Sequence, residues 1–501
     1  MSKGLHDKKS AALYTALAST LMIFSAETLA GTVTELSEAE QSVGGPPGAA
    51  PPAVRPVVKV CVGLNTQATG NTDPSVPPTQ QQIAANLSAD EADLLRRCAD
   101  VIEAGGLGIQ AQEATPESND EARVALRQIA PDEIAAQGTT AVRAVNSQQN
   151  NVAARIIALQ SGLRGVGLKR LSLNVDGSML TGNQLQQLLG GAAGEGDSRL
   201  GAFVSGDLGF GDKKTSSREA GFDYDSRMLT AGVDYFLSGT SFIGVALGLN
   251  KVDMDVTNNG GTLESSNVSI SIYGSAFRKN QFYINGFLDY SRSDHDTERN
   301  LNYTLDETSG GCCSVGLTGN RVTILQSAKG STEGSQLTAS VNMGYDLSKG
   351  AVTYGPTLDI SWSSLEIDPF SESMSNPTAE GRGLALTFNK QTIDSLRSSL
   401  GFQANHTSSK SWGVFSKQFR ASWHHEFEDS AHTIKSFYSF DPAKTLMTLQ
   451  ADRPDTDFYS LALDLTAGLS GGRSYFISYS TLVGLKDITA NQFSAGLRYE
   501  F

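Results

Sequence analysis

From Leu200 to Phe501 the chain alternates apolar and polar residues in stretch after stretch, and a period of two is the signature of β-strands with two unlike faces. The last stretch shows it plainly. Phe493, Ala495, Leu497, Tyr499 and Phe501 fall on one face, and Ser494, Gly496, Arg498 and Glu500 on the other. In a soluble sheet the apolar face would meet a core, whereas in an outer-membrane barrel it meets lipid and the charges face a wet lumen. Twelve such strands are predicted, at about 200–210, 226–237, 241–252, 266–277, 281–292, 335–348, 352–366, 391–405, 411–427, 457–469, 473–484 and 490–501. An even count suits a single-chain membrane barrel.

The connections decide between the two homes. Every second one is tight: Ser238 to Thr240, Arg278 to Asn280, Ser348 to Gly350, His406 to Lys410 and Ser470 to Gly472. The others are mostly long and polar, notably 294–334, 367–390 and 428–456. Barrels with short periplasmic turns and long extracellular loops sort their connections in this way. Trp362, Trp412 and Trp423 lie in strands, where an interfacial aromatic girdle would use them. The sequence has no run of about 18 apolar residues, which excludes membrane-spanning helices, while a hydrophobic content of 39% is compatible with a barrel because only alternate residues face lipid. With 39 basic against 53 acidic residues the formal charge is -14, which argues against a nucleic-acid partner.

The amino terminus reads as an export signal: Lys3, Lys8 and Lys9, then an apolar Ala11–Phe24, then Thr28-Leu29-Ala30 with cleavage expected after Ala30. Residues 31–79, with Pro46-Pro47, Pro51-Pro52 and Pro77-Pro78, read as an extended segment that builds no core. Helices follow. Ser88 and Glu91 form a capping box ahead of Leu94, Leu95, Cys98, Val101 and Ile102, and Gly105-Gly106 ends that helix. Helix is predicted again over 120–129, from Pro131, and after Gly138, where Val145, Val152, Ile156, Leu159 and Leu163 draw one stripe. Export puts the four cysteines in an oxidising compartment. Cys61 and Cys98, in one region, are the candidate disulfide, a link that would stabilise the segment by roughly 4 kcal/mol on the chain-entropy account. Adjacent Cys312 and Cys313 can pair with each other, pair between chains or stay reduced.

The carboxyl-terminal 300 or so residues resemble the translocator domain of the classical autotransporters of Gram-negative bacteria. The matching stretches are Leu229 to Leu247, Ser395 to Gly401, Trp423 to Phe427 and the terminal AGLRYEF. The resemblance implies a twelve-stranded barrel with a helix threaded through its lumen. It also implies that the barrel-assembly machinery reads the terminal strand, here Phe493, Leu497, Tyr499 and Phe501, and that the part ahead of the barrel is a passenger delivered to the surface. Residues 31–199 lack the repeated short strands of a β-helical passenger, so the cargo stays unidentified.

Several motifs are weighed and set aside. Gly196-Asp197-Ser198 is similar to a lipase serine motif but lies in a Gly-rich linker, with no α/β domain around it. Asn150-Asn151 is similar to the paired asparagines at which some autotransporters cut themselves, yet it lies almost fifty residues before the first strand and reads as solvated helix surface. His424 and His425 are consecutive strand residues on opposite faces and cannot share one ion. Leu180 to Leu189 is the favoured lumen helix, with Leu185, Leu188 and Leu189 as its apolar positions, and 150–163 is the alternative.

The expected fold is therefore an all-β membrane barrel of 12 antiparallel strands preceded by a short α-helical segment. The expected organisation is signal peptide 1–30, Pro/Gly-rich segment 31–79, helical passenger 80–175, linker with pore helix 176–199 and barrel 200–501. It would be a monomeric outer-membrane autotransporter with no catalysis, no cofactor and no metal, displaying its passenger at the cell surface. Its partners would be outer-membrane lipid and lipopolysaccharide, periplasmic chaperones and the barrel-assembly machinery. The competing functions are a channel with a periplasmic plug and a surface-anchored hydrolase.

Overall fold

The computed structural model describes residues 54–72, 76–104, 116–129, 134, 148–149, 151–157, 159–160, 172–175, 178–181, 199–216, 218–278, 282–308, 317–469 and 473–499. The chain forms two compact units. One consists of residues 1–127, 303–324 and 441–443, and the other of 128–302, 325–440 and 444–501.

The first unit is helical over its amino-terminal residues. It holds α1 (Val54–Thr69), α2 (Gln80–Asn86), α3 (Ala89–Ala104) and most of α4 (Pro116–Ile129). The predicted capping box opens α3: Ser88 N–H donates to Glu91 Oε2 at 2.7 Å, and Glu91 N–H donates to Ser88 Oγ at 3.2 Å. Thr79 and Gln82 repeat the device at α2. α1 corrects the expectation of an extended 31–79. Pro56 falls in the first turn of α1, where its missing N–H costs nothing, and Val57, Val60, Cys61, Leu64 and Ala68 form a buried stripe that the proline count obscured. This stripe packs on α3, whose Leu94, Leu95, Cys98 and Ile102 are equally buried. Residues 1–53, Cys312 and Cys313 lie outside the described residues.

The second unit is a closed barrel of twelve antiparallel strands. These are β1 (Leu200–Lys213), β2 (Phe222–Ser238), β3 (Ser241–Val256), β4 (Gly261–Phe277), β5 (Phe282–Thr308), β6 (Leu317–Tyr345), β7 (Val352–Ile367), β8 (Gln391–Lys410), β9 (Gly413–Glu426), β10 (Asp457–Leu469), β11 (Arg473–Val483) and β12 (Ile488–Tyr499). Each pairs with the next, and β12 returns to β1 from Ala202↔Tyr499 to Lys213↔Ile488, which leaves the ring without an edge. Alternation sorts the faces: on β3, Ile243, Val245, Leu247 and Leu249 are exposed on the outer wall, while Phe242, Ala246 and Asn250 are buried inside. On β12, Phe493 and Leu497 point outward as predicted. Phe501 and the side chain of Tyr499 are outside the described residues.

Three loops and one turn differ from expectation. The predicted loop 294–334 is mostly strand, because β5 runs to Thr308 and β6 starts at Leu317. There the inward positions are Ser293, His295, Thr297 and Arg299, so the pleat continues while the apolar signal vanishes. Loops 367–390 and 428–456 together build a small sheet from Phe370–Ser371, Leu386–Phe388, Thr433–Tyr438 and Met447–Gln450. Its core includes the stacked rings of Phe370 and Phe388, 4.7 Å apart, with Leu386, Ile434 and Leu449. β8 also outruns its predicted end, which moves the turn to Ser411 and Trp412, so Trp412 lies outside any strand. Ahead of the barrel, Ser172–Val175 and Ser178–Thr181 pair as a two-stranded ribbon.

Candidate functional site

Residues 148–149, 151–157 and 159–160 are helical and lie inside the barrel. This segment, α5, corrects the lumen-helix expectation. Leu180 belongs to the ribbon, while Leu185, Leu188, Leu189 and Gly196-Asp197-Ser198 fall outside the described residues. The stripe of Val152, Ile156 and Leu159, spaced four and three apart, buries against Phe203, Phe236, Phe242, Ala246, Tyr273 and Phe287. Each aliphatic side chain contributes about 1.5–3 kcal/mol by leaving water.

Polar residues then fix the azimuth and height of α5. Arg155 Nε donates to Asp234 Oδ2 at 2.7 Å and Nη2 to Oδ1 at 3.0 Å, both residues being buried, and its guanidinium lies 5.5 Å from the centre of the Phe203 ring. Such a forked pair satisfies both partners in a place where either charge alone would be costly. Asn151 Nδ2 donates to Thr230 Oγ1 at 2.9 Å and to Asp207, which also accepts from Gln492 and Ser494. Asn151 is 4% exposed, so it is packed in the lumen and not on the solvated surface expected for it. Asn150 is outside the described residues.

Four glutamines span the width. Gln148 donates to Ser271 Oγ and accepts from Thr230, Gln149 reaches Ser340, and Gln160 reaches both Ser275 and Asn285. Gln128, farther up the chain, pairs its side-chain amide with the backbone of Asn302 as a strand would, and its carbonyl accepts from Arg299 Nη1 at 2.8 Å. Arg299 also holds Glu372 at 3.0 and 2.5 Å, both buried. Two glycines let the helix come this close. A Cβ at Gly201 would stand 2.6 Å from Arg155 Nη2, and one at Gly248 would stand 2.6 Å from Gln148 Oε1.

On the other side of α5 a cavity of about 310 Å³ remains. Ala153, Ala154 and Ile157 line it from the helix, and Ser399, Ser460 and Ser478 from the far wall. The charges there pair within the wall: Arg420 grips Asp464 at 3.0 and 3.1 Å, and Ser478 donates to the same carboxylate. His424 faces inward between Ser399 and Ser460, while His425 meets Asp457 outside, so the two rings lie on opposite faces as their adjacency requires. Among the described residues no group of three His, Cys, Asp or Glu side chains could hold a metal.

Cys61 and Cys98, the candidate disulfide of the sequence, both lie in the seam between α1 and α3. Both thiols are buried and donate to the carbonyl of Leu95, at 3.9 and 3.2 Å.

Similarity to known proteins follows the same lines. The translocator domain of the autotransporter NalP from Neisseria meningitidis matches over 61% of this chain and 90% of its own, at 14% identity and a TM-score of 0.45. The β-domain of the Bordetella autotransporter BrkA matches over 61% and 100%, at 16% identity and 0.40. The transport unit of AIDA-I from Escherichia coli matches over 63% and 95%, at 13% identity and 0.38. A search of curated proteins returns no match. The family model described as the autotransporter β-domain matches residues 202–480, more than half of the chain. With that match and a closed ring of twelve strands around a helix, the chain belongs to the autotransporter β-domain family, whose place is the outer membrane.

Proposed function

We propose that this barrel exports its own amino-terminal segment and holds it at the cell surface. The observation that supports this reading is the direction of α5. Gln160 bonds Ser275 and Asn285, within a few residues of the tight connection between β4 and β5, whereas Gln148 bonds Thr230 and Ser271 higher in the wall. Farther upstream, Gln128 sits on Asn302, in the part of β5 beyond the apolar band. Tight turns are the periplasmic end of such barrels. The chain ahead of α5 then heads for the long-loop end, and the carboxyl end of α5 faces the tight-turn end, where β1 begins opposite Tyr235. A plug entering from the periplasm would run the other way.

The barrel-assembly machinery would read the last strand through Phe493, Leu497, Tyr499 and Phe501, and deletion of Phe501 should lower the amount of heat-modifiable barrel. We read the protein as a monomeric delivery and display device without catalysis of its own. Protease added to intact cells tests the display: residues upstream of α5 should be lost while the barrel survives. Their survival until the cells are permeabilised would overturn it.

A further inference from the structure

We propose that Cys61 and Cys98 are a disulfide site that ties α1 to α3 in the exported helical unit. The proposal rests on the reading of this segment as exported, since only an oxidising compartment would close the bond. Cys61 lies in the middle of the buried stripe of α1, and Cys98 in the buried face of α3, 0% and 2% exposed. Both thiols donate to one atom, the carbonyl oxygen of Leu95, so the two sulfurs occupy the same seam between the helices.

The contact of Cys98 is with its own preceding turn, so what points to a bond is the position of the two sulfurs in one seam and not the carbonyl. A bond between the two sulfurs would leave that carbonyl to the helix and close a loop that contains all of α2. The chemistry is exchange with an oxidised dithiol catalyst or a small-molecule disulfide. The thiolate of one cysteine attacks the donor's disulfide and forms a mixed disulfide with it. The second thiolate then displaces the donor, which leaves reduced, as a dithiol from the catalyst or as two thiols from the small molecule, while Cys61 and Cys98 lose two protons and two electrons as their sulfur–sulfur bond forms.

The closure has a consequence for passage. A helix with its side chains is about 10–12 Å across, and two helices linked side by side need about twice that width. Beside α5 the barrel offers a cavity of about 310 Å³. A pair already tied is wider than the space beside α5, so closure of the bond after export is part of the proposal.

Full-length protein carrying Cys312→Ser and Cys313→Ser, isolated from outer membranes by acid quenching and denatured, tests the site with a maleimide-bearing polymer. We expect no label before reduction and two labels per chain after it, with one cross-linked peptide pair in the mass spectrum. Adding reductant to the native protein should lower the midpoint of helix loss by more than about 10 °C and leave barrel unfolding in place. Two labels per chain without reduction would overturn the proposal, as would a dimer linked through either cysteine. Protein absent from the outer-membrane fraction would instead overturn the export reading on which the proposal rests.

Discussion

The two sides of the lumen are built from the same alternating strands and treat the helix between them in opposite ways. The wall from β1 to β5 meets α5 with aromatic rings, hydroxyls and two carboxylates, Asp207 and Asp234, each answered by a named side chain of the helix. The wall from β8 to β11 spends its charges on itself, as in Arg420 with Asp464, and leaves space. A helix attached to half of a barrel wall is fixed by a handful of contacts, and those contacts need the other half neither to touch it nor to move. Occupancy of the lumen is thus a property of one wall, and a cavity lies between the helix and the other.

Substitutions can break that contrast, beginning with the ion pair. Arg155→Ala leaves the Asp234 carboxylate buried and unpaired, a loss of about 3–5 kcal/mol. Its pores in planar bilayers should open far more often than those of the wild type, and Asp234→Asn added to it should restore much of the closed time. Ile156→Ala removes the centre of the apolar stripe, with an expected loss of about 3 kcal/mol read as a lower thermal midpoint for release of α5. Asn151→Ala withdraws donors from Asp207 and Thr230, at roughly 1–3 kcal/mol on the same assay. Arg420→Ala, in the other wall, should alter the ion preference of open pores and leave the occupancy of α5 unchanged; a large gain in opening would erase the distinction between the walls.

The smallest effect concerns the small sheet of the long loops. Burial holds the His432 imidazole below its ordinary value of 6.5, with Nε2 against Gln391 Oε1 at 3.0 Å. The fold favours the neutral ring, so its contribution is complete above about pH 6.5 and falls away as pH drops below that. Protection of the Thr433–Tyr438 amides, corrected for the intrinsic exchange rate at each pH, should be lower at about pH 5 than at about pH 7.5. His432→Gln should flatten the difference.

The strands were legible because the pleat writes itself as alternation wherever one face meets lipid. The signal failed where both faces are polar, as at Arg292, Ser293, Asp294 and His295, so the long reach of β5 and β6 was invisible. The lumen helix was harder. Val152, Ile156 and Leu159 look like any amphipathic stripe, and nothing local distinguishes a helix that packs on aromatic rings inside a barrel from one that packs on another helix. The useful signal lay on the opposite side, in Gln148, Gln149, Asn151, Arg155 and Gln160, whose amides and guanidinium suit a wall of Ser, Thr and Asp. Against Leu180–Leu189 stood Asp176-Gly177, a hairpin signal between Val175 and Ser178 that matches the observed ribbon. Regional proximity alone brought Cys61 and Cys98 forward as a pair, while the proline count hid α1, on which Cys61 lies.

The direction of α5 carries the account, and two epitope tags in the full chain test it most directly. One tag goes into residues 31–53, upstream of the helix, and the other into residues 161–171, downstream of it, each scored with antibody on intact and on permeabilised cells. The account predicts that the upstream tag is reached on intact cells and the downstream tag only after permeabilisation. The reverse pattern, or an upstream tag that stays hidden until permeabilisation, would contradict it.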